Sequence, residues 1–147
     1  MKRFQNKVVL VTGGSRNTGL SIVQKFAEEG AAKVYMCGST PESTDKGAAI
    51  LESWGCRNIR SIPCDVSDPV QVQHLFDVIE QESGRLDILV NNFGESNPRK
   101  DLDITRCTYE EFEKTVCTDL STVFNACQEA LNKAMIPQGS GSIINIG

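Results

Sequence analysis

The chain is poor in the residues that build metal cages. Its 147 residues include one histidine, His74, and six cysteines, none of them in a C-x-x-C pair. A metal site is hard to assemble from that set, so none is expected. Cys37, Cys56, Cys64, Cys107, Cys117 and Cys127 are instead expected to be reduced and to pack as small hydrophobes. No apolar run approaches the length of a membrane span. The start, Met1-Lys2-Arg3-Phe4-Gln5-Asn6, lacks the long apolar region and small-residue cleavage site of a secretory leader. A cytoplasmic protein with no membrane partner is the expectation. There is no basic stripe either. The net charge is −4, and the expectation is no nucleic-acid partner. Repeats, low-complexity tracts and linkers are also lacking.

What is present suits one compact domain over residues 1–147. Hydrophobic residues make up 39 % and charged residues 23 %, the balance of an ordinary globular chain. A chain of this length buries roughly 68–70 % of its unfolded surface, so it needs no disulfide or metal to fold.

Short apolar runs alternate with amphipathic stretches. Lys7 to Val11 is a β-branched run that ends at Thr12-Gly13-Gly14 and reads as a buried strand. From Thr18 to Glu29 the apolar Leu20, Val23 and Ala27 share a helical face, and Gly30 stops the helix. Val34 to Cys37 is a second strand. Ala48, Leu51 and Trp54 mark a second helix ending at Gly55. Ile59 to Cys64 is a third strand. Asp68-Pro69-Val70-Gln71 offers a capping acid, a proline at the first helical position and a capping-box glutamine. Val72, Leu75, Phe76 and Ile79 then form the inner face, and Gly84 ends it. Leu86 to Val90 is a fourth strand. Thr108-Tyr109-Glu110-Glu111 is another capping box, opening a helix whose inner face is read as Leu120, Val123, Phe124, Cys127 and Leu131. Ser142 to Ile146 is a fifth strand. This alternation predicts an α/β fold, a doubly wound parallel sheet of five strands with helices on both faces. Glu95 to Arg106 is the one long irregular stretch, a lid or a plain surface loop.

In such a sheet ligands bind beyond the carboxyl ends of the strands. The first end, Thr12-Gly13-Gly14-Ser15-Arg16-Asn17-Thr18-Gly19, is a glycine-rich turn running into a helix start. It suits a pyrophosphate or, taken alone, a tight strand–helix turn with no ligand, and it matches neither a P-loop nor G-x-G-x-x-G. The second, Cys37-Gly38-Ser39-Thr40, has no acid to grip a ribose 2′-hydroxyl. Ser39 and Thr40 can donate to a phosphate and Arg16 can pair with it, which favours NADP over NAD; the alternative is a solvated Arg16 and a serine that merely begins a turn. At the third end, Asp65 suits either an adenine amino group or the cap of the next turn. At the fourth, Asn91 and Asn92 suit binding or a tie between strands. His74 falls on the solvent side of its helix.

Together these ends resemble the short-chain dehydrogenase/reductase family. The family's T-G-x-x-x-G-x-G motif reads here as Thr12 to Gly19, its aspartate after the third strand as Asp65, and its N-N-A-G as Asn91-Asn92-Phe93-Gly94. Thr118 to Phe124 looks like its V-N-L-x-x-x-F helix. Gly141 to Gly147 looks like the strand that delivers its catalytic serine. The resemblance covers the whole chain and implies a Rossmann-type domain, cut off before the sixth and seventh strands. It implies that Thr12, Gly13, Gly14, Ser15, Arg16, Asn17, Thr18 and Gly19 form the phosphate cradle. Arg16 and Ser39 would lie near a 2′-phosphate, Asp65 and Val66 near adenine, and Asn92 and Gly94 towards the nicotinamide ribose. The activity implied is NADP(H)-dependent hydride exchange with a small carbonyl or alcohol substrate, in a possible homo-oligomer.

The sequence departs from the family at three places. Asn17 replaces a glycine, Phe93 a small alanine, and Asp119 the asparagine of the family's catalytic relay. The family's serine and Tyr-x-x-x-Lys do not occur; neither Tyr35 nor Tyr109 has a lysine four residues on. The chain is therefore expected to be inactive alone. The alternatives are a non-catalytic nucleotide-binding or regulatory module, and a fragment that depends on a partner.

Overall fold

The computed structural model describes residues 2–94 and 103–147. The five strands are β1 (Val8–Val11), β2 (Lys33–Gly38), β3 (Ile59–Pro63), β4 (Ile88–Asn91) and β5 (Ser142–Asn145). The long helices are α1 (Asn17–Glu28), α2 (Pro41–Ser53), α3 (Pro69–Ser83) and α4 (Tyr109–Ala130). The chain leaves α4 through a π-helical turn, Leu131–Met135, and a last helical turn, Ile136–Gln138. The strands form one sheet in the order β3-β2-β1-β4-β5, and every pairing is parallel. This is the expected doubly wound Rossmann-type α/β fold, with strand edges one or two residues from the sequence reading. Residues 95–102 of the expected lid or loop lie outside the described residues.

Strand geometry divides the core. Val9, Val11, Val34 and Met36 point to one face, where they pack with Leu20 and Val23 of α1 and Leu51 of α2. Leu10, Tyr35 and Leu89 point to the other, against Val72, Leu75 and Phe76 of α3 and Ala126 and Ala130 of α4. β1, β2 and β4 are buried on both faces, which is why they read as continuous apolar runs rather than alternating ones.

One expectation is corrected. α4 does not bury Leu120, Phe124 and Leu131; these are 67 %, 62 % and 37 % exposed, while Thr122, Ala126 and Ala130 face the core. Small side chains let α4 lie close to the sheet, and the larger apolar residues form a second stripe on its outer face. Trp54, read as marking the second helix, stands at the C-cap of α2 and is 49 % exposed. His74 is exposed, as expected. Among the described residues, no helix is long and apolar enough to cross a membrane.

The strand order reverses between β1 and β4. That switch point brings together the loops after β1 and β4 and leaves an opening beside them.

Candidate functional site at the carboxyl ends of the strands

The loop after β1 is held by its neighbours before it meets any ligand. Buried Thr12 accepts hydrogen bonds at Oγ1 from the amides of Asn92, at 3.1 Å, and Phe93, at 3.3 Å. Asn92 Nδ2 donates to the Gly13 carbonyl at 3.2 Å. Asn91 Nδ2 donates to Asn145 Oδ1 at 2.9 Å, joining β4 to β5. Of the two roles open to the asparagines, this pair shows the strand-tying one.

The glycines set how closely these loops approach. A methyl group on Gly19 would run into the Gly13 carbonyl oxygen and lie 2.7 Å from Asn92 Nδ2. Gly14 serves packing: a Cβ there would stand 2.8 Å from the Met36 Cβ. Asn17 sits in the left-handed region, with φ of 47°. Asparagine tolerates that conformation better than other non-glycine residues, so the turn survives the loss of the family's glycine.

The helix that follows has an open end. Thr40, Asp68 and Thr108 each accept a hydrogen bond from the first turn of α2, α3 and α4. Arg16 stands at the N-cap of α1 and supplies no side-chain cap. The first-turn amides of α1 therefore keep their donors and their positive dipole end for an anion.

A cleft of about 240 Å³ opens over this end. Of the residues singled out in the sequence, Gly13, Ser15, Arg16, Asn17, Thr18, Gly19, Ser39, Val66, Asn92 and Gly94 line it. Gly94 faces open space, with nothing within 4 Å of where a Cβ would stand. Thr12 and Gly14 lie behind the lining, as the staple and the packing glycine. Ser15 is buried, and its hydroxyl is shared with Ser43 of α2 at 2.7 Å, so its main chain is the part offered to the cleft. Asp65 is outside the lining; its Oδ1 accepts from the amide of Ser67, at 3.0 Å, and from its hydroxyl, at 2.7 Å. Of its two possible roles, this is the turn cap. Asp119 lies on α4, away from the cleft lining.

Four lining residues were given no binding role from the sequence: Gly38, Ser43, Cys64 and Phe93, the last read only as a departure in the Asn91 to Gly94 motif. Gly38 is needed because a side chain there would strike the Ser15 hydroxyl. Phe93 is half-buried against the α3–α4 core, which absorbs a ring where the family has alanine. Cys64 pairs with Cys37, whose thiol is held well above its ordinary pKa by the hydrogen bond between the two and by burial. Cys37, fully buried under the cleft, is inert packing and not a nucleophile.

The tyrosines stand elsewhere. Tyr35 is buried, with its hydroxyl 2.7 Å from Ser83 Oγ at the far end of the sheet. Tyr109 is exposed at the start of α4.

A doubly wound sheet with a glycine turn and an open helix end at its switch point defines a Rossmann-type α/β protein. The chain belongs to the short chain dehydrogenase family, whose model matches residues 7–147. It is 38 % identical over 143 residues to a 3alpha-hydroxysteroid dehydrogenase of Mediterraneibacter gnavus, covering 97 % of this chain and 55 % of that one. It is 34 % identical to a D-threitol dehydrogenase of Mycolicibacterium smegmatis, covering 98 % of this chain and 53 % of the relative. A crystal structure of NAD+-bound xylitol dehydrogenase superposes with a TM-score of 0.86 at 28 % identity, over 98 % of this chain and 54 % of that one. The chain thus spans about half the length of the relatives it matches.

Proposed function

We propose that residues 1–147 form the cofactor-binding domain of an NADP(H)-dependent oxidoreductase that moves hydride between nicotinamide and a carbonyl or alcohol. The observation that carries this reading is the uncapped start of α1 over a cleft walled by Gly13, Asn17, Thr18 and Gly19. Family membership supports it. In this reading the main-chain amides of Gly13 to Gly19 hold the pyrophosphate. Thr12 and Gly14 keep that loop in place from behind. Val66 packs by the adenine, with Asp65 fixing the turn that carries it. Asn92 and Gly94 line the way to the nicotinamide ribose.

The preference for NADP over NAD rests on the end of β2. No carboxylate there would grip a 2′-hydroxyl, whereas Arg16 and Ser39 are both exposed on the cleft rim. A bound nicotinamide supplies or accepts the hydride. This chain supplies position, an anion cradle and a low wall of main-chain donors. It contains no Tyr-x-x-x-Lys, so carbonyl reduction is not expected from these residues alone. Asp119 takes no part in binding in this reading. The exposed apolar stripe of α4, with Phe112, Leu120 and Phe124, supports a homo-oligomer.

Titration of the purified chain, read by NADPH fluorescence, tests the proposal. Saturable one-site binding, tighter for NADPH than for NADH, is the expected result. A linear response to both nucleotides overturns it.

A further inference from the structure

Ser15, in the loop after β1, is seated against β2 and α2 by three residues. At the end of β2, a Cβ on Gly38 would stand 3.0 Å from the Ser15 Cβ and strike its hydroxyl. In the first turn of α2, the Ser43 hydroxyl lies 2.7 Å from the Ser15 hydroxyl. One turn further on, Gly47 is buried in the middle of α2. A Cβ there would stand 2.7 Å from the Ser15 carbonyl oxygen, 3.0 Å from its Cα and 3.2 Å from its carbonyl carbon. Only a hydrogen fits between the helix and this residue. Glycine in a helix interior weakens the helix, so α2 gives up local stability at the one position where it meets the loop's main chain.

Both sides of this contact are held in place. Thr40 caps α2, buried Thr44 bonds back into its first turn, and Leu51 anchors it in the core. The loop is held from its other side by Thr12 and Asn92. Beyond Ser15 the two helices part, leaving a cavity of about 540 Å³ walled by Arg16, Leu20, Lys46 and Ile50 among others. α2 therefore bears on the loop at Ser15 and stands away from the start of α1. The contact also falls on a peptide that matters. Ser15 precedes Arg16, the N-cap of α1. In a planar trans peptide the carbonyl and the next amide point opposite ways. A Ser15 carbonyl set against α2 thus turns the Arg16 amide away from α2.

We propose that Gly47 is a positioning residue of the cofactor site: it lets α2 close on the Ser15 carbonyl and so fixes the peptide through which the phosphate cradle passes into α1, without itself touching a ligand. This rests on the reading of the cleft as the dinucleotide site. A side chain at Gly47 meets main-chain atoms, not the end of a flexible side chain, so the peptide or the helix has to shift to admit it. The pyrophosphate is common to phosphorylated and unphosphorylated dinucleotides, so the effect is the same for both.

Fluorescence titration of the full 147-residue chain with NADPH and with NADH tests the proposal. Gly47→Ala is expected to weaken both by the same factor, about tenfold. Ala49→Gly, on the exposed side of α2, weakens the helix and lowers the urea midpoint but leaves both affinities unchanged. Gly38→Ala also weakens both, and adding Ser15→Gly to it recovers part of the loss, because the side chain that Gly38 clears is gone. Unchanged affinities in Gly47→Ala overturn the role of Gly47 and leave the cleft reading intact. So does a loss confined to NADPH. Equal losses in Ala49→Gly and Gly47→Ala overturn it too, since the stability of α2 rather than its contact with Ser15 is then at work. If Gly47→Ala does not fold, the Gly38 pair decides: no recovery on adding Ser15→Gly overturns the proposal. Failure of the unaltered chain to bind either nucleotide overturns the cleft reading, and the proposal with it.

Discussion

The two ends of the sheet are built on opposite principles. At the amino-terminal end the charges are matched. Asp87, buried just before β4, accepts from the Val8 amide at 2.9 Å and from Arg85, with Lys7 beside it. Burial alone would raise its pKa; Arg85, the Val8 amide and Lys7 outweigh that and hold it down. Glu82, at the end of α3, sits between Lys33 and Arg60. Its carboxyl is lowered to about 2, chiefly by the hydrogen bond from Lys33. At the carboxyl end, α1 has no side-chain cap, Arg16 forms no ion pair among the described residues, and Asn17 holds a left-handed backbone. One end is satisfied within the chain. The other leaves donors and positive charge for something outside it, which is the usual mark of a binding site in such a sheet.

Substitutions at the two ends should separate stability from binding. The largest expected effect is at Asp87. Asp87→Ala leaves the Val8 amide and Arg85 without their acceptor and should cost about 2–3 kcal/mol of unfolding free energy, read from urea midpoints. The folded fraction should still bind NADPH. If nucleotide affinity falls instead while stability holds, the division between the ends is wrong. Arg16→Gln comes next, in the opposite sense. It should weaken NADPH about tenfold while stability stays within about 0.5 kcal/mol.

The matched end should also show in the pH dependence. The Glu82 pKa is depressed in the folded state, to about 2. Its contribution is therefore fully present above the unfolded glutamate range, near about 4.3, and is lost as pH falls towards the folded value. Urea midpoints measured between neutral pH and strong acid should fall more steeply for the unaltered chain than for Glu82→Gln. Parallel curves would remove Glu82 from the account. The smallest effect concerns Asn17. Asn17→Gly relieves a left-handed asparagine and should raise stability by at most about 1 kcal/mol, with NADPH affinity unchanged or improved.

The fold was legible because β-branched runs and helix stops punctuate the chain. The run from Val8 to Val11 and the stop at Gly84 could be read without knowing their partners. So could Asp68, whose cap bond to the Val70 amide is local. The loops were legible for the same reason: Gly13 to Gly19 is one continuous segment. What escaped was set by distant neighbours. Leu120 and Phe124 have the periodicity of an inner face, but the small Thr122, Ala126 and Ala130 are the ones that fit against the sheet. Gly47 lies in the middle of α2, and a Cβ there would come within 2.7 Å of the Ser15 carbonyl oxygen. No local pattern links those two positions. The same holds for Lys46 and Arg16, which only the packing of α2 against the first loop brings to one cavity.

Hydrogen–deuterium exchange of the chain with and without NADPH tests the contrast between the two ends most directly. The account predicts slowed exchange at the amides of residues 13–19, 38–40 and 92–94, with residues 82–88 unchanged. Equal protection at both ends, or none at residues 13–19, would contradict it.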